Sequence, residues 1–371
     1  MDEAGESPTP VESSPRSRRG YLIVAIVLAA GAVAAVFIAS TADPRDLAPR
    51  ADVANLPIGP NAPDLVGEKG WINSDPLSAA DLRDRVVVYD FWTYSCVNCV
   101  RTLPHLRAWH DRYAAEGLVI VGVHSPEFEF EKDHDNVRDA VTRLKVDYPV
   151  ALDDDMAIWR QFENQYWPAK YIADGKGRLR YLHIGEGSYG ETEAVIRKLL
   201  GVPKSAPRAR AVDEKAVAPP EEMILLTPEL YLGLLRGQAA QPGTVTYPAD
   251  PAPANPAETR LEGTWSARGE YVTAEESGAA IVLGYQAREV NLVLASESGD
   301  PIDVIVEIDG RPLRPSERTT QTMVDAEGNT FVRVSASGLY RLVLTRSFEQ
   351  HTIRLTTRGP GLEAFAFTFG A

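Results

Sequence analysis

What most limits the folds open to this chain is an apolar run of strand length, Val86–Trp92, followed almost at once by Cys96-Val97-Asn98-Cys99. The segment 97–116 that continues from it has helical character and is interrupted by Pro104. A dithiol between a strand and a helix has a specific chemistry. Residues three apart on a helix share a face, so the two sulfurs can join without moving the backbone. Cys96 falls at the predicted helix N-terminus, where unpaired N–H groups and the helix dipole favour a thiolate, so a lowered pKa and the attacking role are expected of it. Cys99, one turn inside, is expected to be shielded and to resolve the mixed disulfide. These are the only cysteines among 371 residues, which excludes a scaffold stapled by several disulfides. A zinc half-site is the first alternative, but zinc normally needs four ligands, and His105 and His110 are five apart on the following helix. An inert structural disulfide is the second, although so short a loop makes a labile one.

Around this unit, strand and helix alternate. Residues 118–124 read as a strand and 131–144 as a helix. Residues 169–173 and 179–184 read as two strands joined by Asp174-Gly175-Lys176-Gly177, and 191–200 as a helix closed by Gly201. This pattern predicts an α/β domain with helices on both faces of a central sheet over 61–202. Residues 203–258 read as a linker: Pro203, Pro207, Pro219 and Pro220 mark 203–222, residues 223–235 form a short docking segment, and the Pro- and Ala-rich stretch 236–258 is not expected to pack. From 259 to 371 the signal is all strand. Val290, Leu292 and Leu294 alternate with outward positions, as do Ile302, Val304, Val306 and Ile308 before Asp309-Gly310, which predicts an all-β sandwich or jelly roll. Phe365, Phe367 and Phe369 alternate on the last strand and read as core.

The N-terminus suggests a membrane address. No residue from Gly20 to Ala42 is charged, and 21–39 is almost wholly apolar, long enough for one crossing. Arg16, Arg18 and Arg19 precede it, so 1–19 reads as a disordered cytoplasmic tail, 20–42 as a single-pass anchor and 43–60 as a tether. Everything beyond is then expected outside the cytoplasm. A cleaved signal peptide ending near Ala39–Ala42 is the rival reading, though its apolar stretch is usually shorter. A net charge of −14 argues against a nucleic-acid partner, which requires a basic face.

Val87-Val88-Tyr89-Asp90-Phe91-Trp92-Thr93-Tyr94-Ser95-Cys96 resembles the thioredoxin superfamily. The resemblance implies a thiol–disulfide oxidoreductase whose only redox group is the Cys96–Cys99 disulfide, with no other cofactor and no metal. It implies that Asp90 is a buried acid beneath the disulfide, that Pro104 lies at the helix kink and that Pro168 is a cis-proline facing the dithiol. Trp92, Tyr94 and Trp167 are implied as substrate-binding neighbours. The plainer readings are a solvated strand end for Asp90 and an ordinary edge proline for Pro168. Trp92 to Cys99, His124-Ser125-Pro126-Glu127 with Phe128, and Tyr166-Trp167-Pro168-Ala169 are similar, more narrowly, to the extracytoplasmic part of DipZ-type proteins, relatives of TlpA-like disulfide reductases. That likeness covers residues 60–202 firmly and extends weakly through Glu229-Leu230-Tyr231-Leu232-Gly233. DipZ-type proteins carry a multi-helix electron-carrying membrane domain ahead of the redox domain. One apolar segment stands there in this chain, so the resemblance implies a separate membrane electron donor of the CcdA/DsbD type and protein disulfides as substrates.

In the same family the trailing β domain resembles a carbohydrate-binding module. Trp265, Tyr271 and Tyr285 are then candidate platforms for cell-wall glycan, although aromatic residues in a small β domain are more often core. The sequence thus supports a membrane-anchored disulfide reductase. Two alternatives remain: a glycan-binding or scaffolding protein with a vestigial redox domain, and a thiol peroxidase. For the peroxidase, Thr93 stands three before Cys96, but Tyr89 occupies the place of the proline in the peroxiredoxin motif.

Overall fold

The structure, a computed structural model, describes residues 52–210 and 226–370. The tail 1–19, the apolar segment 20–42 and most of the tether lie outside the described residues. Among the described residues no helix is long and apolar enough to cross a membrane.

The redox domain is built on six strands: β1 (Trp71–Ile72), β2 (Val86–Trp92), β3 (Leu118–His124), β4 (Val150–Leu152), β5 (Ala169–Ala173) and β6 (Leu179–Ile184). Their order is β1-β4-β3-β2-β5-β6, with β4, β3 and β2 parallel and the outer strands antiparallel. Strand β2 is buried along its whole length, because apolar cores cover both faces of the sheet. Val86, Val88 and Trp92 lie in one core with Leu103 and Leu106 of helix α1 (Val97–Tyr113), whereas Val87, Tyr89 and Phe91 lie in the opposite core with Trp159 of helix α3 (Ala157–Gln161). Asp90 alternates with Val88 and Trp92, which places it on the α1 side of the strand.

Three sequence expectations are corrected in this region. The helix expected over 131–144 is a 3₁₀ turn, Glu129–Lys132, followed by helix α2 (His134–Arg143). Asp133 separates them and caps α2 by accepting the N–H groups of Asp135 and Asn136. The packed domain starts before residue 61: Leu56 is buried and the Gly59 N–H donates to the Leu179 carbonyl. Residues 203–207 are not a free linker, because the Arg197 guanidinium of helix α4 (Tyr189–Leu200) donates to the carbonyls of Pro203, Ala206 and Pro207.

The β domain is one sheet folded over a single core. Val290, Leu292 and Leu294 meet Val304, Val306 and Ile308 there, as their alternation predicts. The strand Thr259–Ala267 joins the two halves. Its first residues pair with Ala280–Gln286 and its last with Val272–Ala274. Between them Gly263 has φ +79°, a left-handed turn that only glycine adopts without strain, and there the strand passes from one half-sheet to the other. The stretch 236–258 does pack in part: Gly243–Tyr247 pairs with Thr259–Ala267. Its prolines flank this strand and leave the β-branched residues inside it free to pair. Leu230–Tyr231, from the expected docking segment, pairs with the last strand, Leu362–Gly370.

That last strand also departs from expectation. Phe367 and Phe369 enter the sandwich core, but Phe365 joins a separate cluster with Phe128 and Phe130 of the redox domain. The cause is a bulge: Leu292 pairs with Phe367 and Leu294 with Ala364, so Val293 faces two residues. An extra residue reverses the alternation and turns Phe365 outward.

Candidate active site

Cys96 caps helix α1. Its backbone is extended (φ −79°, ψ 112°), and its Sγ accepts the Cys99 N–H at 3.2 Å. Both cysteines are free thiols, Cys96 partly exposed and Cys99 fully buried. The helix continues through Pro104, and the Thr102 hydroxyl donates to the Cys99 carbonyl.

The electrostatics differ from the sequence expectation. Burial pushes the Cys96 thiol well above its ordinary value, and the neighbouring Cys99 thiol and the Glu127 carboxylate act in the same direction. The Cys99 N–H opposes them. The thiolate-favouring dipole of the helix end is thus outweighed by desolvation. Burial raises Cys99 as well, with Asp90 adding to the effect and Lys170 opposing it. What distinguishes Cys96 from Cys99 is access rather than a depressed pKa.

Asp90 is fully buried, and the solvated reading of it is overturned. Its carboxyl is pushed up to about 6 by burial, while the Lys170 ammonium at 3.4 Å pulls it back. Lys170 is also buried and stands opposite Asp90 in the antiparallel β2–β5 pair. The sequence reading missed Lys170. A lysine in an otherwise apolar strand was a signal, but only the strand register identifies its partner. The Trp167–Pro168 peptide is cis, and Pro168 leads directly into β5, whose Ala169 pairs with Phe91. The Trp167 indole N–H donates to the Ser125 carbonyl at 3.0 Å, and its ring lies 4.2 Å from that of Trp159.

Two expected substrate contacts are structural. Trp92 and Tyr94 are 0% and 2% exposed. They pack on His124, Trp92 edge-on at 5.4 Å and Tyr94 stacked at 5.6 Å. The exposed aromatic beside the cis-proline is instead Tyr166. His124 is pushed down to about 3 by burial, and its Nε2 lies 3.4 Å from the Thr93 hydroxyl. Two of the three candidate sugar platforms are also structural, whereas Tyr271 is half-buried. Trp265 and Tyr285 are buried in the sandwich core, and Tyr271 packs 4.9 Å from Phe365.

The second residue missed is Glu131. It is fully buried, accepts the Ser95 hydroxyl at 2.5 Å, and is pushed up to about 7 by burial against the pull of its Ser95, Thr93 and Phe128 donors. The β domain borders the site on two sides. Arg101 of α1 bridges Glu186 (3.2 Å) and Glu289 (2.7 Å), and a Cβ at Gly338 would stand 3.9 Å from the Tyr94 ring. Among the described residues no group of three or more His, Cys, Asp or Glu could hold a metal ion.

A buried acid and lysine, a shielded thiol and an accessible thiol thus stand at one helix end, a set suited to two-electron exchange with a disulfide. The chain is similar to several known proteins. A family model described as AhpC/TSA family matches residues 58–182, and one described as thioredoxin-like C-terminal domain matches residues 227–370. Protein DipZ of Mycobacterium tuberculosis is 36% identical over 262 residues, covering 68% of this chain and 37% of DipZ. Thiol-disulfide oxidoreductase YkuV of Bacillus subtilis is 29% identical over 138 residues, 37% of this chain and 93% of YkuV. Thiol-disulfide oxidoreductase ResA of Bacillus cereus is 24% identical over 149 residues, 40% of this chain and 82% of ResA.

Proposed function

Since the chain is a thioredoxin-fold protein of the DipZ/TlpA-like kind, we propose that it is a thiol–disulfide oxidoreductase that reduces protein disulfides. The observation that carries this reading is the Cys96–Cys99 pair with the buried Asp90–Lys170 couple beside Cys99. The Cys96 thiolate attacks one sulfur of a client disulfide. An enzyme–client S–S bond forms, the client S–S bond breaks, and the departing client thiolate takes a proton. Cys99 then gives its proton to Asp90 and attacks the Cys96 sulfur. This releases the second client thiol and leaves a Cys96–Cys99 disulfide, so two electrons pass to the client and no cofactor is needed.

Reduction is favoured over oxidation because the groups around Cys96 do not stabilise its thiolate. Neither Val97 nor Asn98 adds a positive charge, and burial and Glu127 disfavour ionisation. A thiolate held this weakly leaves the disulfide form relatively stable, so the expected potential is reducing, roughly −270 to −200 mV. Equilibration of the full chain with glutathione buffers measures it, alongside insulin reduction with dithiothreitol as donor. A potential above about −150 mV would place the protein with the oxidants and end the reductase reading.

The peroxidase reading is weaker. Tyr89 stands where the peroxiredoxin motif has its proline, and an adjacent resolving Cys99 suits dithiol exchange better than peroxide reduction. The scaffold reading loses Trp265 and Tyr285 to the core.

Part of the proposal concerns location. The apolar segment 20–42 preceded by arginines supports a single membrane anchor with both domains outside the cytoplasm, reloaded by a separate membrane dithiol donor of the CcdA/DsbD type. An alkaline phosphatase fused after Ala371 is expected to be active, because that enzyme works only when exported. An inactive fusion with normal expression would overturn the topology.

A further inference from the structure

The short segment 127–132 touches both the dithiol loop and the β domain. Towards the dithiol, the Glu131 carboxylate meets four donors. One oxygen accepts the Ser95 hydroxyl at 2.5 Å and the Ser95 N–H at 3.4 Å, and the other accepts the N–H groups of Glu127 at 2.6 Å and Phe128 at 3.0 Å. Ser95 immediately precedes Cys96, whose Sγ depends on the backbone path there to reach the Cys99 N–H. Towards the β domain, Phe128 and Phe130 lie 5.2 and 4.9 Å from the Phe365 ring. The Tyr231 hydroxyl and Arg236 both donate to Glu127 at 2.8 Å, and the Glu129 N–H donates to Glu270 at 2.9 Å.

Both ends of this arrangement are built rather than incidental. A buried carboxylate costs stability unless its oxygens are satisfied, and here every partner is a donor, as an acceptor-only group requires. On the other side, the bulge in the last strand is what turns Phe365 out of its own core to meet Phe128 and Phe130. We propose that Glu131 is a positioning residue through which the β domain holds Cys96 in its reactive geometry. The inference rests on the reading of Cys96 as the attacking thiol. It assigns the β domain a role in the redox step that does not depend on any ligand of its own.

The test uses the reduced full chain and reads the rate of Cys96 alkylation by iodoacetamide at pH 7, resolved by peptide mass spectrometry. Glu131→Gln keeps an acceptor for the Phe128 side and places an amide against Ser95, so alkylation is expected to slow about threefold or more. Phe365→Leu removes the aromatic contact from the β-domain side and is expected to slow alkylation in the same direction. The double variant is expected to be no slower than Glu131→Gln alone, because both changes act through one path. If Phe365→Leu does not fold, Glu270→Ala, a change at a half-buried β-domain residue that accepts the Glu129 N–H, replaces it on the same criteria. Val306→Ala weakens the sandwich core far from the segment and is expected to leave the rate unchanged; a slowed rate would mean general destabilisation, and the proposal would fall. It would also fall if Glu131→Gln left the rate unchanged, if the folded β-domain variant left it unchanged, or if the two effects multiplied. First alkylation at Cys99 would overturn the attacking role of Cys96, whereas failure to reduce insulin with this coupling intact would overturn only the function.

Discussion

Replacing Cys96 with serine is expected to lower disulfide reduction by at least roughly 1000-fold, because the nucleophile that starts the exchange is gone. Cys99→Ser is expected to fail differently. Cys96 still attacks, but nothing resolves the product, so client proteins accumulate as mixed disulfides with the enzyme. Partial exposure of Cys96 and complete burial of Cys99 set this asymmetry. Non-reducing gels after acid quenching show it directly. Trapping by Cys96→Ser instead of Cys99→Ser would reverse the assignment of the two sulfurs.

The second large effect concerns Asp90. In the proposed resolving step Asp90 accepts the Cys99 proton and so works only when ionised, and its carboxyl is pushed up to about 6. The resolving step is therefore expected to speed up as pH rises through about 6 and then to level off until the thiols themselves ionise. Asp90→Asn is expected to remove that inflection and to slow resolution about 100-fold or more, a usual worth for a positioned general base. Lys170→Met is expected to move the inflection upward, since the ammonium is what pulls Asp90 back toward the ordinary carboxylate range. Stopped-flow decay of a preformed mixed disulfide across pH 5–8 separates these outcomes. An unchanged inflection in Asp90→Asn would remove Asp90 from the step. The same raised pKa affects stability. The folded chain holds this proton more tightly than the unfolded one, so the advantage is complete below about pH 4 and is lost as pH rises through about 6. It amounts to roughly 3 kcal/mol, to be seen as a falling melting temperature that Asp90→Asn flattens.

Much of this was legible in local pattern. The apolar run Val86–Trp92 is β2, the alternating Ile302, Val304, Val306 and Ile308 enter the sandwich core, and the cysteines stand at a helix start. These features depend on periods of 2 and 3.6 residues and on short-range sterics, which neighbours in sequence carry by themselves. The buried state of Asp90 followed from family resemblance, but its partner did not. Lys170 is 80 positions away, and only the register of β5 against β2 puts the two side by side.

The sequence by itself determined the two domains and the dithiol at the start of a helix. Tertiary structure decided what surrounds the dithiol. Trp92 and Tyr94 became packing against His124 because both core faces and the segment 127–132 close over them, and Cys96 lost its expected low pKa to the same burial. Trp265 and Tyr285 turned inward, and Phe365 turned outward through one extra residue in a strand. The physical reason is common to all of them. Periodicity says which residues share a face, but which face meets another domain, and which charge is thereby desolvated, depends on contacts between segments far apart in the chain.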